Sequence, residues 1–257
     1  MKLTSHPFGI ECHPTPWDAN AFGVKTYEII IPNINDLDMV NAIEEVNQIT
    51  SAESSSLFYS RINAKFNNCK RVLYESGFHN CETQLHIFNN NIKNFTTPKE
   101  LGNRRLQLDL AVNQDYIEVA KKSSEVFKFS RFHEDPFVKL ELANLRMQLW
   151  CEDMHKQKVP LLIYKNKAGE LDSFIFYKNI NENSVELILG GSMPGKGMMT
   201  PLFWASFIEY FKTIGINRIE TKISASNLTI ANIYIFFNFK IKEAYFDFHK
   251  HVFYDPL

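Results

Sequence analysis

Short apolar segments alternate with amphipathic segments along most of this chain, and that alternation is what most constrains its fold. A β-rich run at 27–31 is followed by 34–49, where apolar residues recur at helical spacing. Further strands are predicted at 57–65, 78–88, 106–111, 159–164, 171–179, 185–190 and 218–224, with two more within 239–253, and further helices at 67–76, 115–127, 138–156, 200–214 and 227–237. The order predicts an α/β fold with a mixed sheet.

The length of 257 residues allows one large or two modest domains. A polar stretch at 89–103, which contains Pro98 and Gly102, has the composition of a linker. We therefore predict two domains, 1–100 and 101–257.

A weak internal repeat relates the two parts. A shift of 161 residues pairs Ile62 with Ile223, Ala64 with Ala225, Val72 with Ile233, Phe78 with Phe239 and Glu82 with Glu243. Both copies are predicted to consist of a strand, a helix, a capping Gly or Asn, an aromatic residue and a strand. The repeat suggests a duplicated half-domain, although two similar supersecondary units could also match by coincidence.

Composition excludes several classes of protein. The net charge of −1 gives no basic field for nucleic acid, and no apolar run approaches the roughly 20 residues that a membrane helix needs. The first 16 residues lack a signal-peptide pattern, so we expect a cytoplasmic protein. The four cysteines have unrelated spacings, which predicts reduced structural thiols and no metal site.

The most informative segment runs from the apolar strand at 185–190 through a glycine-rich turn into the helix at 200–214. Gly190, Gly191, Gly195 and Gly197 lie at this junction. Glycines before a helix let backbone N–H groups approach an anion, and the helix dipole adds to the attraction. A pyrophosphate would fit there, but this segment alone is a weak signal, because it matches neither common nucleotide loop and a turn without a ligand is the alternative.

A second motif follows about 30 residues later, where Ser224-Ala225-Ser226-Asn227 ends a strand and opens a helix that carries Tyr234. Together the two segments resemble the GNAT N-acyltransferase superfamily, whose glycine loop binds the pyrophosphate of acyl-CoA. Two departures from the family pattern are Ser192, where Gln or Arg is usual, and Asn238, where Gly is usual. The resemblance implies that acyl-CoA, the only cofactor expected, is bound by Leu189, Gly190, Gly195, Lys196, Gly197, Met198, Met199 and Asn227.

Within that superfamily the chain is most similar to the nucleotide-amino-sugar N-acyltransferases, the group of the TDP-fucosamine acetyltransferases. Segments 17–23, 130–132 and 245–250 carry this likeness. It implies a truncated N-terminal GNAT-like half packed on a complete C-terminal GNAT domain. The substrate contacts it suggests are Trp17, Phe22, Arg131, Phe132 and His249.

The chemistry requires a neutral amine, a site for the oxyanion and an acid for the leaving thiolate. The resemblance assigns the acid to Tyr234 and the oxyanion site to a backbone N–H near 189–191. The base stays open between Glu186, His133, Asp135 and His249, and an amine that arrives deprotonated needs none.

The predicted function is transfer of an acetyl or short hydroxyacyl group, such as 3-hydroxybutanoyl, from acyl-CoA to a dTDP-3-amino- or dTDP-4-amino-dideoxyhexose for surface polysaccharide synthesis. The alternatives are acylation of another small amine and a non-catalytic acyl-CoA-binding module.

In the repeat, Phe66 and Leu73 stand where Asn227 and Tyr234 would be. We therefore expect the N-terminal half to line the acceptor side without binding CoA. We expect no nucleic-acid or membrane partner and allow for a homodimer.

Overall fold

The computed structural model describes residues 8–102 and 104–252, which form ten strands and seven α-helices. The strands are β1 (Glu11–Pro14), β2 (Lys25–Ile30), β3 (Ser56–Asn63), β4 (His79–Asn89), β5 (Asp109–Leu110), β6 (Leu161–Lys165), β7 (Leu171–Asn181), β8 (Ser184–Ser192), β9 (Arg218–Ser224) and β10 (Lys240–Val252). The helices are α1 (Pro16–Phe22), α2 (Met39–Ser51), α3 (Asn67–Glu75), α4 (Asn113–Val126), α5 (Leu140–Lys156), α6 (Thr200–Thr213) and α7 (Leu228–Phe236). Short 3-10 turns lie at Ile92–Asn94, Lys99–Leu101 and Gly197–Met199.

The predicted mixed α/β fold is confirmed, and two local predictions need correction. The segment 239–253 was predicted to hold two strands, but its described part forms one strand, β10, because no turn residue interrupts the two-residue alternation. β1 and α1 lie in a segment for which no secondary structure was predicted from the sequence. Among the described residues, no helix is both long enough and apolar enough to span a bilayer.

The described residues divide into two compact units. Unit 1 comprises 8–84, 129–146 and 243–252, and unit 2 comprises 85–102, 104–128 and 147–242. Each unit is therefore assembled from separate stretches of sequence. The predicted boundary near residue 100 lies within unit 2 and does not coincide with this division.

The strands of unit 1 lie in the order β1-β2-β3-β10-β4. Only residues 79–84 of β4 and 243–252 of β10 belong to this unit. β2 and β3 are parallel, whereas β3 and β10 are antiparallel and pair Asn63 with Tyr245 and Ser56 with Val252. Helices α2 and α3 pack on the sheet through Val46, Val72 and their neighbours in one apolar core. The amphipathic spacing of those helices explains why they cover the sheet on one face.

A buried carboxylate joins four segments of unit 1. The Asp18 side chain, on α1, has no exposed surface. It accepts a hydrogen bond from Tyr59 Oη at 2.5 Å, pairs with Arg146 of α5, and lies 3.5 Å from Arg131 Nη2. Because a charge removed from water is costly unless it is paired, these partners fix the positions of the segments that carry them.

Unit 2 has the strand order β4-β9-β8-β7-β6-β5. β8 pairs antiparallel with β7 and parallel with β9. Helix α6 is almost entirely buried and places Phe203, Phe207 and Phe211 in a large aromatic core. α4 and α5 contribute Val119, Ala120, Cys151 and Met154 to a second core against β6 and β7. This apolar packing supports β8 and the start of α6.

Helices α3 and α7 begin and end at positions 161 residues apart, the shift of the sequence repeat. Each helix is followed by a residue with positive φ, Gly77 at 81° and Asn238 at 61°. The next residue in each copy donates its N–H back into the helix, from Phe78 to Leu73 and from Phe239 to Tyr234. Asn tolerates this left-handed conformation better than other residues with a side chain, so it can replace glycine here.

We expect Asp18→Asn to lower the free energy of unfolding by about 3–5 kcal/mol, because it leaves the charges of Arg131 and Arg146 buried without their shared partner. Urea denaturation followed by circular dichroism measures the change. Glu75→Gln is the matched control, since Glu75 forms only an exposed pair with Arg71 one helical turn away, worth under about 0.5 kcal/mol. Equal losses in the two variants would contradict this account of Asp18.

Candidate functional site

The glycine-rich junction of unit 2 forms a tight connection between β8 and α6. Gly195 has φ +76°, and the N–H of Lys196 donates to the carbonyl of Met193 at 2.9 Å. Ser192 Oγ lies 2.8 Å from Thr200 Oγ1, which joins the end of β8 to the first residue of α6. The residue that departs from the family pattern, Ser192, therefore has a structural contact within the loop.

The four glycines have two different roles. A Cβ atom at Gly190 would lie 2.9 Å from Ile175 Cγ1, and one at Gly191 would lie 2.6 Å from Val126 Cγ1. These two positions need glycine for packing. At Gly195 and Gly197, a Cβ atom would meet no heavy atom of the described residues within 4 Å. The second half of the loop thus has open space beside its backbone.

β8 and β9 separate before either strand ends. Their parallel pairing runs from Ser184 and Arg218 to Leu187 and Thr221, yet β8 continues to Ser192 and β9 to Ser224. The pairing of β8 with β7 also shifts at this point, with Tyr177 opposite Leu187 and Phe176 opposite Leu189. Ile188 is consequently an extra residue, a β-bulge, at the point of separation.

Thr221 closes the paired region, because its hydroxyl donates to the carbonyl of Leu187 at 2.9 Å. Beyond it, residues 188–190 of β8 continue along β7 but are no longer paired with β9. The edge of β8 that faces β9 can therefore hydrogen-bond to an extended ligand there.

Tyr234 is buried on α7 beside this separation. Its ring packs edge-on against Trp204 and Phe239, at centroid distances of 6.1 and 4.8 Å. Burial raises the pKa of Tyr234, and the neighbouring Trp204 and Thr221 side chains act in the opposite direction. The hydroxyl is therefore protonated at neutral pH and available as a donor.

The other residues predicted to bind acyl-CoA lie around the same loop. Asn227 caps α7 by accepting from the N–H of Ile230 at 3.2 Å. Lys196 is half-buried, with its Nζ 3.4 Å from Glu170 Oε2, and Met199 is half-buried where α6 begins. The side chain of Met198 lies outside the described part of the chain. Binding of acyl-CoA by these residues stays a prediction.

The five predicted substrate contacts all belong to unit 1. Trp17 is exposed, whereas Phe22, Phe132 and His249 are buried. The Arg131 guanidinium stacks on the Tyr59 ring at 3.9 Å and lies 3.5 and 3.9 Å from carboxylate oxygens of Asp18 and Asp247. Its charge is thus already compensated within the unit, and contact with a substrate stays a prediction for all five residues.

The candidate bases differ in environment. Glu186 pairs with Lys178 at 2.8 Å on the surface of unit 2, and burial lowers the pKa of His133. Burial lowers the pKa of His249 to about 4, although its hydrogen bond to Asp135 opposes that change. His249 is therefore neutral at pH 7. Asp135 is ionised, because hydrogen bonds from histidines outweigh the effect of burial and lower its pKa.

Glu82 is a buried acid that sequence reasoning did not identify as a site residue. Burial raises its pKa to about 8, with further contributions from Asp247 and Glu134 that Arg61 and Arg131 oppose. Such a shift is typical of functional sites but also occurs in structural networks. Apart from its place in the repeat, the sequence around Glu82 gives no signal of this environment.

We expect Glu82→Gln to become progressively more stable than the native chain as pH rises from 5 to 8. In this window the folded state holds a proton that the unfolded glutamate, with a pKa of about 4.3, has released, so native stability falls as pH rises. The difference should grow by about 1–4 kcal/mol, measured by urea denaturation at several pH values. Glu75→Gln controls for a surface glutamate, and a pH-independent difference for Glu82→Gln would refute the assignment.

Comparison with known proteins gives a fold match but no sequence match. No protein-family model and no curated protein sequence matches the chain. A GCN5-related N-acetyltransferase from Sphaerobacter thermophilus superposes with a TM-score of 0.63 at 12% identity, over 99% of this chain and 80% of its own. A tandem GNAT protein from the clavulanic acid biosynthesis pathway superposes with a TM-score of 0.59 at 9% identity, over 90% of this chain and 76% of its own. A functionally unknown conserved protein from Staphylococcus epidermidis superposes with a TM-score of 0.60 at 10% identity, over 97% of this chain and 94% of its own. With its β8–β9 separation, glycine loop and two related half-domains, this chain has the fold of the GCN5-related N-acetyltransferases.

Proposed function

We propose that this protein is an N-acyltransferase that uses acyl-CoA. The observation that carries the proposal is the separation of β8 from β9 beyond Leu187 and Thr221, with an open glycine loop at the end of β8. The backbone around Gly195 and Gly197 leads into α6, whose N-terminal dipole favours an anion. The pyrophosphate of CoA is an anion that such a loop can bind without a lysine-serine pair.

The separated edge of β8 suits the pantetheine arm. This arm is extended and contains amide groups, so it can hydrogen-bond to the backbone of 188–190 as an added strand would. The thioester would then lie near the bulge at Ile188. A backbone N–H near 189–191 could donate to the oxyanion that forms on the thioester carbonyl.

The proposed reaction forms one bond and breaks another. The neutral amine attacks the thioester carbon, the C–N bond forms and the C–S bond breaks. The proton that the nitrogen loses passes to water, from which Tyr234 regains the proton that it gives to sulfur. Tyr234 is proposed to donate its hydroxyl proton to the departing sulfur, since a thiolate leaves more readily when it is protonated. Its burial beside Thr221, where the strands part, supports this role.

We propose an amino sugar linked to dTDP as the acceptor, with the acyl group acetyl or a short hydroxyacyl. The support is the sequence resemblance of segments 17–23, 130–132 and 245–250, together with their packing. The ring centroids of Phe22 and Phe132 are 4.7 Å apart. Arg131 lies near the carboxylates of Asp18 and Asp247, which belong to the other two segments. Three segments distant in sequence thus form one cluster in unit 1. Another small amine remains the second candidate, and a module that binds acyl-CoA without transfer is the third.

Incubation with a panel of acyl-CoAs and dTDP-3-amino or dTDP-4-amino sugars, followed by mass spectrometry, should yield an N-acylated sugar nucleotide. Gly197→Val should abolish the product and weaken CoA binding by at least about tenfold in calorimetry, because its side chain would occupy the open space beside the loop. Gly215→Asn, just after α6 at a φ that Asn tolerates, is the folded control. Unchanged CoA affinity in Gly197→Val would overturn the loop assignment. CoA binding without any product would favour the non-catalytic module.

Tyr234→Phe should lower turnover on the order of 10²-fold while leaving CoA affinity nearly unchanged, because it removes the proton donor but keeps the packed ring. Steady-state kinetics across pH measure the effect. Tyr210→Phe, on α6, removes a tyrosine hydroxyl from the same unit and should retain activity. Full activity of Tyr234→Phe at every pH would remove Tyr234 from the mechanism.

A further inference from the structure

Three histidines converge on one buried carboxylate within unit 1. Asp135 lies in the segment before α5, His79 is the first residue of β4, and His249 and His251 share one face of β10. Asp135 Oδ1 is 3.1 Å from His79 Nε2, and Oδ2 is 2.6 Å from His249 Nδ1 and 2.7 Å from His251 Nε2. No sequence motif links these residues, so the fold alone creates the cluster.

Two of the imidazoles are arranged as metal ligands would be. The His79 and His251 rings stack at 5.6 Å and 16°, and both direct Nε2 toward Asp135. Their ligand atoms and a carboxylate oxygen lie within 4.8 Å of one another. A tetrahedral zinc ion with bonds of about 2.0–2.1 Å needs ligand atoms about 3.3 Å apart. The short N–O contacts would therefore have to widen by well under about 1 Å, and the longest separation in the group, at most 4.8 Å, would have to narrow by up to about 1.5 Å.

The carboxylate is already held in place by other donors. Oδ1 accepts the backbone N–H of Phe137 at 2.9 Å, and Oδ2 accepts from His249 Nδ1. Such outer contacts orient a ligating carboxylate in metalloproteins. The Phe137 ring also packs against both ligand imidazoles, at 5.0 Å from His79 and 5.7 Å from His251. His249 and Phe137 thus form an outer shell around the three candidate ligands.

The cluster can be reached from solvent on one side. The side chain of His79 is 30% exposed and that of His251 is 12% exposed, whereas those of Asp135 and His249 are fully buried. An ion could enter beside His79 and keep a water molecule as its fourth ligand. Two imidazole nitrogens with one carboxylate oxygen suit zinc and similar transition ions, not Mg²⁺ or Ca²⁺, which prefer oxygen.

We propose that His79, Asp135 and His251 bind a divalent transition-metal ion, for which Zn²⁺ is the probe. The ion would tie together three parts of unit 1, namely the start of β4, the segment before α5 and the end of β10. This proposal does not depend on the acyl-transfer function and departs from the sequence-based expectation of no metal.

The position of the imidazole protons separates metal binding from a network of hydrogen bonds alone. Without metal, His79 and His251 must carry their protons on Nε2 to donate to the ionised carboxylate. When an ion binds at Nε2, each ring must carry its proton on Nδ1 instead. His249 keeps its Nδ1 proton in both states, so it provides an internal reference.

The experiment uses the full chain, stripped with a chelator and then titrated with Zn²⁺ under competition from a chelator of known affinity. We expect one equivalent bound, a rise in Tm, and a move of the proton from Nε2 to Nδ1 in His79 and His251 in long-range ¹H–¹⁵N NMR. His79→Gln and His251→Gln should each weaken binding at least about tenfold. His13→Gln, which changes an exposed histidine paired with Glu11, should bind as the native chain does.

Equal zinc affinity in all four proteins would place the ion elsewhere and overturn the proposal. So would a native chain whose His79 and His251 keep Nε2–H at saturating Zn²⁺. If a glutamine variant fails to fold by circular dichroism, the NMR result on the native chain decides. CoA affinity is measured in the same samples. Because the zinc site does not depend on acyl transfer, a failure of zinc binding can then be told apart from a failure of the proposed acyl-transfer function.

Discussion

The backbone hydrogen bonding of β8 is the constraint on which unit 2 depends. A strand inside a sheet should be paired on both edges, but the edge of β8 toward β9 loses its partner after Leu187. Thr221 completes the last paired position with its side chain, and the bulge at Ile188 turns the strand where the pairing stops. Gly190 and Gly191 keep the remaining strand close to β7 and α4, since larger residues there would collide with Ile175 and Val126. The strand therefore stays extended although one of its edges is unpaired.

The two units are stabilised by different physical means. In unit 2 an aromatic core packs around β8, and α6 is almost entirely buried in that core. Unit 1 combines an apolar core with buried charges at Asp18, Asp135 and Asp247, each next to cationic or imidazole partners. Replacing a buried ion pair by apolar residues often costs nothing in stability. In unit 1 these charges fix the positions of the segments that carry them.

The sequence predicted most elements because their signals are local. β9 was predicted with its observed bounds, and the capping Gly or Asn predicted in each copy of the repeat is Gly77 after α3 and Asn238 after α7, both with positive φ. The helix α1 was missed because it has only seven residues between a threonine and a glycine, and it begins with proline. The partners of the predicted site residues could not be predicted in the same way. Asp135 and His249 are 114 residues apart, and Asp18 and Arg146 are 128 apart, so only the tertiary fold brings these side chains together.

The discontinuous composition of unit 1 has a consequence for folding during synthesis. β3 and β10 pair although they lie far apart in the sequence, from Ser56 with Val252 to Asn63 with Tyr245. All segments of unit 2 precede residue 243, so they are translated before the part of β10 that completes the sheet of unit 1. Pairing over such a separation carries a large loop-closure entropy and is slow to form. The sheet of unit 1 is thus completed only after residues 243–252 have been translated, and until then β3 has an unpaired edge that is open to pairing with another strand.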